Sequence, residues 1–210
     1  MDIVKQAFEK LHASKTIAEV EGIISELKVE KYQMDPETYP KIEFKITKEE
    51  IEELKAKGII TKDNLIADIA NSDTLTKLLY SVSWKNGDLK KVRHIIEGII
   101  SRKIEDKKDG LVFYQFGKYL TKRPGEPIID QHVLRAFGIF KAKEDKDKIE
   151  KLKRLSLITE EEKGLIDQYK SWLQSEDLTK DLRNAENYSY YVDKVLFAVG
   201  KRVKERSKRK

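Results

Sequence analysis

The 210-residue chain contains no cysteine. That excludes a disulfide framework, a thiolate metal site and a cysteine nucleophile, and it fits a reducing compartment. Four prolines and ten glycines are too few for a collagen-like or proline-rich chain. Long apolar runs are missing as well. Runs such as Val195-Leu196-Phe197-Ala198-Val199 fall far short of the ~20 residues that cross a bilayer. From Met1 to Leu11 polar and apolar residues alternate at helical spacing, without the uninterrupted apolar core of a signal peptide. The expectation is a soluble, cytoplasmic protein with no membrane partner. His12, His94 and His132 have no local ligand pairing, and no dinucleotide, P-loop, HExxH or EF-hand spacing occurs. No metal and no cofactor are expected.

Charge of one sign is also scarce outside one segment. The net charge is +6, and residues 201–210 hold seven bases against the single acid Glu205, so the preceding 200 residues sum to zero. The basicity therefore belongs to a tail, with Lys201, Arg202, Lys204 and Arg206 as candidate phosphate contacts through counterion release. A solubilising, frayed helix end is the plainer reading of the same residues.

What is present is 39% hydrophobic side chains with nine tyrosines and seven phenylalanines, enough to build a core. Ile3, Val4, Ala7, Phe8 and Leu11 form one helical stripe, and Ile17, Val20, Ile23, Ile24 and Leu27 form another. Thr16 with Glu19, Thr47 with Glu50 and Thr159 with Glu162 have capping-box spacing. Helices are predicted over 2–12, 17–28, 48–57, 62–70, 74–84, 88–102, 110–122, 130–140, 145–155, 160–174 and from about 184 into the tail. Gly58 fits the position just past a helix, and Asn86-Gly87-Asp88 fits a tight turn with Asp88 capping the next helix. Only 41–46 alternates like a strand. The fold class is all-α, with at most one short strand or hairpin.

Residues 113–140 combine an aromatic-rich helix, a Pro/Gly loop, an isoleucine pair and an aspartate that opens another helix. The stretch Pro127-Ile128-Ile129-Asp130-Gln131-His132-Val133-Leu134-Arg135 resembles the Asp-x-x-Val-x-Arg region of the helix-hairpin-helix DNA glycosylase superfamily, which includes endonuclease III and 8-oxoguanine glycosylase. Trp84-Lys85-Asn86-Gly87-Asp88 and the run Leu89 to Ile100 are similar to pieces of divergent members. The resemblance spans roughly 75–200 and implies a two-lobed helical domain over 1–200, one lobe comprising 1–70 with the C-terminal helices and the other 71–140, the two meeting near Asp130, followed by the 201–210 tail. It also implies double-stranded DNA as a partner, Asp130 as the catalytic carboxylate that stabilises charge on the sugar as a flipped base leaves, and His132, Tyr114, Lys118 and Trp84 as substrate-binding residues.

The chain departs from the family upstream of Asp130. Where active members carry a Gly-rich hairpin that grips a phosphate, this chain reads Ile104-Glu105-Asp106-Lys107-Lys108-Asp109-Gly110-Leu111-Val112, and the family's lysine nucleophile falls near Val112. The implied activity is a monofunctional N-glycosylase without lyase chemistry. The competing reading is an inactive helical scaffold or interaction module. Residue by residue, the plainer alternatives are an N-cap for Asp130, a carboxylate partner for Arg135, core positions for Trp84, Trp172, Phe113, Tyr114, Phe116, Tyr119 and Phe137, and at least one exposed ring among Tyr188, Tyr190 and Tyr191.

Overall fold

A computed structural model describes residues 2–67, 69–101 and 109–204. Its helices are α1 (Asp2–Ala13), α2 (Ile17–Glu26), α3 (Lys48–Ala56), α4 (Thr74–Lys85), α5 (Leu89–Ile100), α6 (Leu111–Leu120), α7 (Gln131–Ala142), α8 (Lys146–Lys153), α9 (Lys163–Gln174), α10 (Lys180–Asn184) and α11 (Tyr188–Arg202). The protein is all-α, with 63% helix and no strand among the described residues. No described helix is long and apolar enough to cross a membrane.

The helix starts follow the capping chemistry. Thr16, Thr47 and Thr159 each accept a backbone N–H while the glutamate three residues on accepts the threonine's own N–H. The third box opens a 3₁₀ turn, Glu160–Glu162, that runs into α9. Gly58 and Gly87 both follow helix ends with φ of 71°, a left-handed conformation that costs glycine nothing. Asp88 does not cap α5; its carboxylate pairs with Lys91 instead.

Two expectations are corrected. Residues 62–67 are not helical: Asn64 takes φ of 62°, the Thr61 hydroxyl accepts the Leu65 N–H at 3.1 Å, and an isolated antiparallel bridge joins Ile60 to Ile66. Local side-chain bonding there turns the chain before a helical turn can close. The alternating 41–46 segment takes no regular secondary structure, in keeping with at most one short strand, and the Ile46 N–H donates to the Leu120 carbonyl at 3.0 Å. Between α9 and α11 a short extra helix, α10, is capped by Thr179.

The chain divides into two compact units, residues 1–42 with 124–210 and residues 43–123. The first unit is built on an aromatic cluster. Phe8 stacks on Phe140 at 3.9 Å and meets Trp172 at 5.0 Å, while Phe137 packs on Tyr169 at 5.1 Å. Val192, Val195, Leu196 and Val199 of α11 complete that core. The second unit has a smaller core of Ile51, Ile60, Ile96 and Ile99.

In the second unit α5 and α6 cross backbone to backbone. A Cβ placed at Gly98 would sit 2.0 Å from the Tyr114 carbonyl oxygen, and one at Gly117 would sit 2.1 Å from that of Ile95. Only hydrogen fits at either position. At Gly164, in the first turn of α9, a Cβ would meet nothing within 4 Å. Gly98→Ala should therefore destabilise by roughly 1–3 kcal/mol through overpacking, although alanine is the better helix former. Gly164→Ala should stabilise by about 0.5–1 kcal/mol. Urea denaturation of the two variants checks the opposite signs.

Candidate functional site

Asp130 stands at the N-cap of α7 in extended conformation, with φ of −135°. Its Oδ1 accepts the N–H groups of His132 at 2.6 Å and Val133 at 2.9 Å. These bonds satisfy two of the free donors of the first turn. The loop before it is anchored on both sides: Ile129 is buried in the core, and the Ile128 N–H donates to Asp193 Oδ2 at 2.7 Å. Asp193 lies in the middle of α11 and is only 2% exposed. Its other oxygen accepts from the Tyr169 hydroxyl at 2.5 Å. A buried carboxylate on one helix therefore fixes the loop that sets the position of Asp130.

On its other side, α11 runs directly over the first turn of α7. A Cβ at Gly200 would lie 1.9 Å from the His132 carbonyl oxygen, so glycine is required for this approach. Beneath the crossing Arg135 is fully buried. It donates to the Gly200 carbonyl at 2.9 Å, to His132 Nδ1 at 2.6 Å and to the Leu155 carbonyl, while its Nε–H has no partner. The expected carboxylate partner is corrected: carbonyls at the ends of α11 and α8, where helix dipoles are negative, take that place. Because a guanidinium can only donate, His132 Nδ1 is the acceptor and the imidazole proton is on Nε2.

The charges respond to burial. Burial lowers the His132 pKa to about 4, with the positive charges of Arg135, Lys204 and Lys201 acting in the same direction. His132 is thus a neutral ring at physiological pH, set edge-on against Phe197 at 4.9 Å. Asp130 is shifted upward by burial, against the lowering effect of the Val133 and His132 amides and of Arg135 and Lys201. Asp193 is raised well above the usual carboxylate range, again by burial first, and the negative charge of Asp130 adds to it.

Asp130, His132, Lys201 and Lys204 therefore belong to one electrostatic neighbourhood in the first unit. Arg202 does not join it. It donates to the Leu27 carbonyl at 2.8 Å, closing the end of α2, and α11 extends to Arg202 so that the tail begins at Val203. Arg206, like Glu105 and Asp106, lies outside the described residues. Tyr114, Lys118 and Trp84 belong to the second unit. Tyr114 and Lys118 are buried on α6, with the Lys118 ammonium 5.5 Å from the Tyr114 ring centre and donating to the Ser101 carbonyl. Trp84 is 65% exposed, which overturns the core reading. Trp172 is a core residue, whereas Tyr190 and Tyr191 are half-buried and Tyr188 buried, so none of the three tyrosines is exposed. No cluster of metal-binding side chains occurs among the described residues. An open groove of about 810 Å³ lies elsewhere in the first unit, between α7, α8 and α9, and Asp130 does not line it.

Asp193 and Tyr169 were not anticipated as part of the site; an aspartate between Val192 and Lys194 reads as one polar position of a helix. The arrangement predicts a distinct pH response. Because the folded pKa of Asp193 is raised, the stability this group contributes is complete below the ordinary carboxylate value of ~3.9 and is lost as pH rises toward the folded value. Asp193→Asn can accept from Ile128 and donate to the Tyr169 oxygen without charge. It should gain stability relative to wild type as pH rises through that interval. Asp193→Ala leaves both partners unsatisfied and should cost roughly 2–4 kcal/mol. Denaturation at a series of pH values measures both.

No family model matches the chain, and no curated protein or solved structure matches it at a significant level.

Proposed function

We propose that the protein is a DNA-glycosylase-like protein that hydrolyses the N-glycosidic bond of a damaged or mispaired base, with Asp130 as the catalytic carboxylate. The observation that carries this reading is a half-buried carboxylate, held by two amides at a helix N-terminus and set in the field of Lys201, with Lys204 acting on the neighbouring His132. Lysines beside a carboxylate suit a substrate that is anionic along its backbone and becomes cationic at one reacting carbon. As the base leaves, positive charge grows on the sugar, and a fixed anion stabilises it without reorganising. The base departs with the electrons of the broken C1′–N bond, water adds to C1′, and the proton that water loses ends on the released base. A neutral His132, carrying its proton on Nε2, is suited to donate a hydrogen bond rather than to supply charge.

Lyase chemistry requires an amine that forms an imine. Lys118, on α6 after Val112, is buried and donates to the Ser101 carbonyl. The proposed reaction is accordingly monofunctional. Its rate should fall as pH drops through a midpoint above the ordinary carboxylate value, because the anion is the active form and burial raises the Asp130 pKa.

Duplexes carrying a panel of damaged and mispaired bases, assayed for base release, test the reading. Asp130→Asn keeps the capping oxygen and removes the charge, so it should abolish release with little loss of stability, whereas Asp130→Ala should also lose about 1 kcal/mol. Release undiminished in Asp130→Asn would remove Asp130 from the mechanism, and a borohydride-trapped adduct would contradict monofunctional chemistry. A folded wild-type protein that releases no base from any duplex would favour the scaffold reading.

The contribution of the tail can be isolated by ending the chain at Val203, which preserves α11 and the Arg202–Leu27 bond. This removes Lys204, Arg206, Lys208, Arg209 and Lys210. If those bases contact phosphates, the slope of log affinity against log salt should become shallower by up to about 4.5. An unchanged slope would assign DNA binding to the folded body.

A further inference from the structure

The groove between α7, α8 and α9 has a volume of about 810 Å³, within the range of roughly 300–1,000 Å³ typical of small-ligand sites. Leu152, Leu155, Leu157 and Leu165 line it. Leu157 is 75% exposed, more than any other large hydrophobic side chain among the described residues. Two glycines also line the groove. Gly138 is required by packing, since a Cβ there would lie 2.8 Å from Leu152 Cδ2, whereas a Cβ at Gly164 would meet nothing within 4 Å.

The groove has direction. Gly138 lies against Leu152, and Arg135, one turn earlier on α7, donates to the Leu155 carbonyl. The two helices therefore run antiparallel. Lys141 and Lys148 stand beside the turn that joins them, and Leu155 and Leu157 stand at the opposite end, about 10 Å away along α8. The bond from buried Arg135 holds the backbone at that apolar end in place.

Most of the charges that line the groove are engaged. Lys151 of α8 pairs with Glu161 of the 3₁₀ turn at 3.1 Å, Glu162 accepts the Thr159 N–H of its capping box at 2.7 Å, and Arg154 lies 3.9 Å from Glu150. Lys141 and Lys148 have no ion-pair partner among the described residues, and neither has Asp147. Two cations and one anion leave a surplus of one positive charge at the turn end. A monoanion matches that surplus. A dianionic phosphate would exceed it and meet stronger repulsion from Asp147. At the other end the leucines suit an unbranched apolar chain.

We propose that this groove binds an amphiphilic carboxylic acid, with the carboxylate at Lys141 and Lys148 and the acyl chain on Leu152, Leu155, Leu157 and Leu165. The site is independent of the glycosylase reading, because Asp130 does not line the groove.

Decanoate, titrated into the full chain and followed by amide NMR, should shift Gly138, Leu155 and Gly164 and saturate with a Kd on the order of 100 µM. Decanol has the same chain without the charge and should bind about tenfold more weakly. Replacing both cations, Lys141→Ala with Lys148→Ala, should weaken decanoate by about tenfold and leave decanol unchanged. Asp147→Asn should strengthen decanoate alone. Gly164→Leu places a side chain in the groove and should abolish binding of both probes, and Leu157→Glu, at an exposed position, should abolish it without touching the core. Decanoate that shifts no groove amide at millimolar concentration would overturn the inference. So would decanol binding as tightly as decanoate, undiminished decanoate binding in the double lysine variant, or undiminished binding in both Gly164→Leu and Leu157→Glu. Decyl phosphate binding tighter than decanoate would overturn the carboxylate assignment, and groove shifts on concentrating the protein alone would give the groove to a second copy of the chain instead.

Discussion

The first unit depends on the contact between α7 and α11. One helix lies on the other so closely that Gly200 has room for nothing larger than hydrogen, and two titratable side chains are enclosed beside that contact, Arg135 beneath the crossing and Asp193 earlier along α11. Arg135 is held by carbonyls at helix ends and by a neutral imidazole, and Asp193 by a hydroxyl and a loop amide. Neither has an ion-pair partner of the usual kind. Each is costly to bury, and each is stabilised by dipoles directed at it from fixed backbone. Removing one partner would leave an enclosed group exposed to the full desolvation penalty, so the junction tolerates little variation.

Asp130 takes its properties from that junction. Its loop is anchored by Asp193, its own oxygen caps α7, and the cations of Arg135 and Lys201 partly offset the cost of its burial. The same surroundings drive His132 to neutrality. The proposed chemistry draws on a carboxylate that is rigid, partly desolvated and in the field of Lys201. In the second unit the close approach of α5 and α6 at Gly98 and Gly117 obeys the same steric rule with no charge involved.

Features governed by neighbouring residues were legible in the sequence. The three threonine–glutamate boxes, the glycines after α3 and α4, the Asp130 cap and the all-helical class all follow from spacings of three or four residues. Features governed by distant partners were not. Asp193 meets Ile128 across 65 positions, and Arg135 is satisfied by carbonyls at 155 and 200, which no local pattern encodes. The upward shift of Asp130 comes from burial, which a sequence does not display, whereas the helix polarity that opposes it is visible there. Residues 62–67 carry helical spacing, yet Asn64 and the Thr61 hydroxyl turn the backbone first. Leu75, Leu78, Leu79 and Val82 of α4 have the periodicity of a buried face, yet all four are exposed.

The central claim is that the α7–α11 junction encloses its titratable groups and thereby tunes Asp130. Site-resolved NMR titration of the Asp130 and Asp193 carboxyls and the His132 ring in the intact protein tests it most directly. The account predicts both carboxyls titrating above the ordinary aspartate value, Asp193 the further of the two, and His132 with a midpoint of about 4. Carboxyls titrating near ~3.9 with His132 near ~6.5, as for solvent-exposed groups, would contradict it.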